Sequence, residues 1–186
     1  MKNLNLDPMF APFGQGLSIE GFDFPSGCEP HVKLLKVPSD EVRVTARIHT
    51  MNDLFRLAMA AEVLDHRDVE WKELFLPFVP CARQDRRMME GEPLSAKIVA
   101  NFINSMKFDR VIIFDPHSDV IVNLIDKCRP ITNHAFVETC LNHFYEGFPQ
   151  DMNTVSIVAP DAGSNKKSKD LLSSLNQHLS GADVYP

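Results

Sequence analysis

Three apolar runs, each closing on a cluster of polar groups, constrain this chain more than anything else in it. ELFLPFVP runs into CARQDRR, RVIIF into DPHSD, and VSIVA into PDAGS. Segments with helical spacing lie among them. Leu54, Leu57, Ala58, Ala61 and Leu64 precede the first run, and Ile98, Val99, Phe102, Ile103 and Met106 follow a Ser95 N-cap as an expected buried face. Further helices are expected from about Val137 to Phe144 and from Lys169 to Leu179, the latter through Leu171, Leu172, Leu175 and Leu179. Apolar runs alternating with amphipathic helices predict βαβ units, hence an α/β fold with a mostly parallel sheet flanked by helices. Ligands of such sheets gather beyond the carboxyl ends of the strands. The three polar endings are therefore expected to contribute to one composite site.

Ahead of these units, GLSIEGFDF, HVKLLKV and EVRVTARI alternate in part and are broken by Pro, Gly and Ser, so they read as short strands. Gly147-Phe148-Pro149, followed by polar QDMNT, marks a domain boundary. It leaves 1–148 as one domain and 149–186 as the beginning of a second, too small to close a core by itself.

Composition narrows the function classes. With 186 residues, 44% apolar and 24% charged, the chain has the make-up of a globular protein. A net charge of -6 argues against general nucleic-acid binding, which needs an excess of basic groups to neutralise phosphates. MKNLNLDPMF has no apolar core of the signal-peptide kind, and no run reaches bilayer-spanning length. Cys28, Cys81, Cys128 and Cys140 form no C-x-x-C pair and read as reduced core or incidental residues. The expectation is a cytoplasmic chain without membrane or nucleic-acid partners.

Each polar ending admits two readings. Arg83, Gln84, Asp85, Arg86 and Arg87 can bind a polyphosphate, since guanidinium forks match phosphate oxygens in pairs. They can equally form a solvated loop paired with Glu90 and Glu92. Asp115 and His117, two apart past a strand, can offer an oxygen and an imidazole nitrogen to a metal, or act as turn residues. Asp119 and Asp126 are weaker metal candidates and read as helix-surface charges. Asp161, near Gly163, Lys166 and Lys167, suits a metal or sugar-phosphate contact, or a strand-to-helix turn. Phe24, Ser26, Gly27 and Glu29 form a turn between two β-runs, and the remaining histidines show no ligand spacing. No G-x-x-x-x-G-K-[ST] loop is present, so any phosphate binding is not of the Walker kind.

In order and spacing, LFLPFVPCARQDRR, GEPLSAKIVANFINSMKFDRVIIFDPHS and VSIVAPDAGSNKKSKDL resemble the ribose-phosphate pyrophosphokinases (phosphoribosyl-diphosphate synthases). DPHSDV, where the main family more often has D-L-H-A, looks closer to a divergent phage and bacterial branch. The resemblance implies tandem domains of phosphoribosyltransferase type. It also implies Mg²⁺-dependent transfer of the diphosphoryl group of ATP to the 1-hydroxyl of ribose 5-phosphate, giving phosphoribosyl diphosphate and AMP. Position by position, Arg83, Gln84, Asp85 and Arg86 would serve ATP, Asp115 and His117 the metal, and Asp161 a metal or ribose-phosphate region. Phe24 and Glu29 match the ends of a turn that reaches the adenine in a neighbouring subunit, which implies a homo-oligomer. Ser26 replaces an Asp of that turn, Cys28 is inserted in it, and Ser164 stands where a second Gly is usual. The family's basic loop with its catalytic lysine and its acidic ribose 5-phosphate loop fall beyond Pro186, so the sequence reads as truncated. Two other readings stand beside the enzyme: a non-catalytic relative that regulates or scaffolds the active enzyme, disfavoured because Arg83, Gln84, Asp115, His117 and Asp161 are all kept, and a plain phosphoribosyltransferase, which the missing acidic loop disfavours.

Overall fold

The computed structural model describes residues 1–17, 19–24, 27, 29–36, 40–145, 156–175 and 183–185. It divides into two compact units, Met1–Ile131 and Thr132–Pro186. The boundary expected at 148–149 lies outside the described residues, as do Ser26 and Cys28.

The first unit is built on a five-stranded, wholly parallel sheet ordered β1-β4-β5-β6-β7. Its strands are β1 (Lys2–Asn5), β4 (Glu41–Thr45), β5 (Trp71–Leu76), β6 (Arg110–Phe114) and β7 (Cys128–Ile131). Helices α1 (Met51–His66), α2 (Ser95–Asn104) and α3 (Asp119–Leu124) make the three crossovers from β4 through to β7. β2 (Ile19–Phe24) and β3 (Glu29–Leu34) stand apart as an antiparallel hairpin packed on α1. Leu4, Val42, Val44, Leu74, Leu76, Val111 and Ile113 of the sheet join Leu57, Ala61 and Leu64 of α1 in the core. β6 is apolar after its first residue, as a parallel strand covered on both faces favours, whereas β4 and β5 carry Arg43, Lys72 and Glu73 among their apolar residues.

α1 begins at a complete capping box. The Thr50 hydroxyl accepts from the Asp53 N–H at 3.2 Å, and the Asp53 carboxylate accepts from the Thr50 N–H at 2.8 Å. α2 differs from expectation at its start and on its face. Leu94, not Ser95, holds the N-cap position, with no side-chain cap; the Ala96 N–H instead finds the Gln84 carbonyl at 3.2 Å. Its buried stripe is Ala96, Val99, Ala100 and Ile103, with Met106 just beyond, whereas Ile98 is 62% and Phe102 36% exposed. Two alanines let the helix approach closely, and their spacing fixes a narrower stripe than the five large apolar residues implied. Beyond each crossover helix a non-glycine residue takes the left-handed conformation, Asp68 (φ 52°), Lys107 (φ 52°) and Lys127 (φ 52°), the usual geometry of a helix stop.

One charged row crosses the sheet. Arg43, Glu73 and Arg110 are register partners on β4, β5 and β6. The Glu73 carboxylate, 1% exposed, accepts from Arg43 Nε at 2.5 Å and from an Arg110 guanidinium nitrogen at 3.2 Å. Phe13 covers the row, with the Arg43 guanidinium 4.0 Å from its ring centre and the Phe75 ring edge-on at 4.9 Å. On the opposite face of β5, Lys72, the residue before Glu73, is buried and pairs with Asp65 of α1.

In the second unit, β8 (Ser156–Val158) pairs in parallel with β9 (Asp183–Tyr185), and α4 (His134–Tyr145) and α5 (Asn165–Leu175) complete the described elements. Ser168 and Leu175 are the buried residues of α5, and residues 176–179 of the expected helix lie outside the described residues.

Replacing Glu73 by Gln removes the charge while keeping the shape. The variant is expected to lose about 1.5–3 kcal/mol, the worth of a hydrogen bond to a charged group. Urea unfolding of Glu73→Gln against the parent checks this, and an unchanged midpoint would remove the row from the account of sheet register.

Candidate functional site

β5 and β6 are neighbours in the sheet, so the loops that leave their carboxyl ends start side by side. The first runs from Pro77 to Leu94 and carries CARQDRR; the second runs from Asp115 to Ser118. Each carries one non-glycine residue in the left-handed conformation, at the fifth position of the first loop and at the first position of the second. Cys81 sits at φ 60° and Asp115 at φ 43°, a region that residues with a Cβ adopt only when the surroundings hold them there. Asp115 is fixed through its N–H, which donates to the Ile131 carbonyl of β7 at 2.7 Å.

Within CARQDRR the side chains divide. Arg83, Gln84 and Arg87 are exposed, and among the described residues Arg83 has no ion pair or side-chain hydrogen bond. Asp85 turns inward, its side chain only 3% exposed. One carboxylate oxygen accepts from Arg86 Nε at 3.0 Å, the other from the Ser118 hydroxyl at 2.8 Å. Asp85 thus ties the loop after β5 to the loop after β6. Its carboxyl is held below the ordinary value of 3.8, first by the Arg86 hydrogen bond and then by that of Ser118. Burial opposes the shift, and the charges of Arg86 and His117 add to it.

The rest of the loop is self-supporting. The Glu92 carboxylate accepts from the N–H groups of Met88 (2.8 Å) and Met89 (3.1 Å), while Arg87 Nε donates to the Glu92 carbonyl at 3.2 Å. The pairing of these arginines with the carboxylates of Glu90 and Glu92, one sequence reading, is replaced by a backbone clasp.

His117 is exposed, and Asp115 is partly buried. Asp119 opens α3 at the surface, and the exposed Asp126 follows that helix. Among the described residues no group of three or more His, Cys, Asp or Glu side chains is placed to hold a metal ion.

Phe24 and Glu29 face each other as the last register pair of the β2–β3 hairpin. Asp23, beside Phe24, receives the Arg56 guanidinium of α1 at 2.5 Å, so the hairpin is pinned to the helix. Arg56 also pairs with Asp53 at 3.2 Å. Of these, Asp53 and Arg56 border a cavity of about 230 Å³ at the carboxyl ends of β1 and β4, lined also by Asp7, Arg47 and His49 among others. No sequence signal singled out this corner, because its residues come from three separated segments.

In the second unit, Asp161 follows β8 in a turn entering α5. Its Oδ1 accepts from the Ser164 N–H at 2.8 Å, and the Ser164 hydroxyl donates to the Asp161 carbonyl at 2.7 Å. Ser164, found where a second glycine is usual, is thus a working part of the turn.

Comparisons with known proteins bear on the whole arrangement. No protein-family model matches the chain. It is 30% identical over 135 residues to a ribose-phosphate pyrophosphokinase of Neisseria meningitidis, covering 72% of this chain and 40% of that protein. A ribose-phosphate pyrophosphokinase of Fusobacterium nucleatum is 29% identical over 125 residues, 67% of this chain and 38% of its own length. This chain belongs with the ribose-phosphate pyrophosphokinases over the part it spans. The matched part amounts to about two fifths of the length of these pyrophosphokinases. The fold agrees: the crystal structure of phosphoribosylpyrophosphate synthetase from Mycobacterium smegmatis superimposes with a TM-score of 0.74 at 22% identity, over 91% of this chain and 55% of that one.

A depressed carboxyl contributes stability that is full above its unfolded value and is lost as pH falls through its folded value. Asp85→Asn is therefore expected to be less stable than the parent at pH 6, the gap narrowing as pH drops below 3.8. Denaturant unfolding at a series of pH values checks it; a gap that stays constant into acid would contradict the assignment.

Proposed function

We propose that the two loops at the carboxyl ends of β5 and β6 form the ATP side of a ribose-phosphate diphosphokinase. The observation that carries this reading is the division within CARQDRR: Asp85 is turned to structure, while Arg83 and Gln84 are exposed and Arg83 has no ion pair or side-chain hydrogen bond among the described residues. An exposed guanidinium so placed, at the carboxyl edge of a parallel sheet, suits the phosphates of a nucleotide. The relatives' name, ribose-phosphate pyrophosphokinase, supplies the reaction class.

In this reading Arg83 takes the polyphosphate, Gln84 a ribose hydroxyl or base edge, and Asp85 with Arg86 keeps the loop in shape. Asp115 and His117 offer one oxygen and one imidazole nitrogen to a magnesium ion. An ion that rides on a nucleotide and keeps most of its waters needs few protein ligands, so this sparse pair fits, whereas a dedicated protein cage is not among the described residues. The ion, when bound, neutralises charge on the polyphosphate. The ribose 1-hydroxyl of ribose 5-phosphate attacks the β-phosphorus, the bond from the β-phosphorus to the oxygen bridging the α-phosphorus breaks, and AMP leaves as phosphoribosyl diphosphate forms. The protein's share in such a transfer is positioning and charge stabilisation more than covalent help. Asp161, in its turn before α5, is assigned to the second unit's own metal or ribose-phosphate region. Phe24 and Glu29, on a hairpin pinned by Arg56, are assigned to the adenine of a neighbouring copy in a homo-oligomer.

Arg83→Ala is expected to weaken Mg–ATP binding roughly tenfold or more, the usual worth of a hydrogen bond to a charged group. Calorimetric titration of the folded variant checks this, and unchanged affinity would remove Arg83 from the site.

A further inference from the structure

Ser118 occupies the N-cap position of α3, yet makes no cap hydrogen bond to that helix. A serine there ordinarily accepts from the backbone N–H of the second or third helical residue. Here its hydroxyl donates to Asp85, 33 residues earlier in the chain, at 2.8 Å. The acceptor is nearly sealed from water, its side chain 3% exposed, so this bond is shielded from solvent competition. The other partner of Asp85, Arg86, lies on the same loop and is 73% exposed, so it cannot register that loop against another. Ser118 immediately follows His117 and is three residues from Asp115.

We infer that Ser118 is a positioning residue: its bond to Asp85 sets the loop bearing Arg83 and Gln84 at a fixed distance from the loop bearing Asp115 and His117. The inference rests on the nucleotide reading above and adds to it a specific dependence. One polyphosphate is to be gripped by arginine from one loop while its magnesium is met from the other. The grip holds only if the loops keep their register, so the benefit that magnesium confers on ATP binding depends on the Ser118 hydroxyl.

The test is calorimetric titration with ATP, once with excess Mg²⁺ and once with the metal chelated, on the parent chain, Ser118→Ala and Ser118→Thr. Thermal unfolding of each variant confirms that it is folded. Ser118→Ala is expected to weaken Mg–ATP binding roughly fivefold to tenfold, the worth of one shielded hydrogen bond. Metal-free ATP affinity should change by less than about twofold, since one loop alone then carries the contact. Ser118→Thr, which keeps the hydroxyl and the N-cap preference, should restore the parent's magnesium dependence. Equal losses with and without metal, or no loss at all, would overturn the inference while leaving the nucleotide site standing. A parent chain that binds no ATP in either condition would overturn the nucleotide reading, and this inference with it.

Discussion

The fold of the first unit hangs on a carboxylate that the sheet surrounds. Glu73 lies at the middle of the five strands, and a buried carboxylate is tolerated only where hydrogen-bonding partners replace water. Arg43 and Arg110 supply them from the two adjoining strands at the same register. A slip of one residue in either pairing would turn the arginine to the other face and strand the carboxylate. Apolar packing makes these strands cohere, and the charged row says which register they adopt.

That register has a consequence at the carboxyl edge. With β5 and β6 locked side by side, the loops after them leave at neighbouring points. Each contains a left-handed residue, Cys81 at the fifth position of one and Asp115 at the first of the other. Asp85 then closes the gap, holding its own loop through Arg86 and the next through Ser118. Burying one carboxylate of CARQDRR releases the remaining groups. Arg83 and Gln84 stay on the outside because the structural work is done by residues beside them. The same division recurs in the second unit, where Asp161 and Ser164 satisfy each other in the turn into α5.

Much of this was legible in the sequence. Apolar runs alternating with helical stripes placed β5, β6, β8, α1 and α5, and the polar endings of the runs pointed to the carboxyl edge. What stayed hidden was short or non-local. β1 and β7 have four residues each, too few to establish a period. The buried stripe of α2 was read too widely, since Ile98 and Phe102 are as apolar as the residues that do pack, and only the approach of Ala96 and Ala100 decides between the faces. The Asp85–Ser118 bond joins positions 33 residues apart, and the Arg43–Glu73–Arg110 row joins three strands. Glu73 within an apolar run was the one visible clue, a charge that a buried strand would not carry without partners.

The central claim is that CARQDRR and DPHS together hold the phosphates of a nucleotide. The most direct measurement is phosphorus NMR of ATP with Mg²⁺ and ribose 5-phosphate, before and after adding the 186-residue chain. The account predicts that the phosphate resonances of ATP shift or broaden with the chain, and that adding Arg83→Ala in its place leaves them nearer their free positions. A spectrum that the folded parent chain leaves untouched would contradict it.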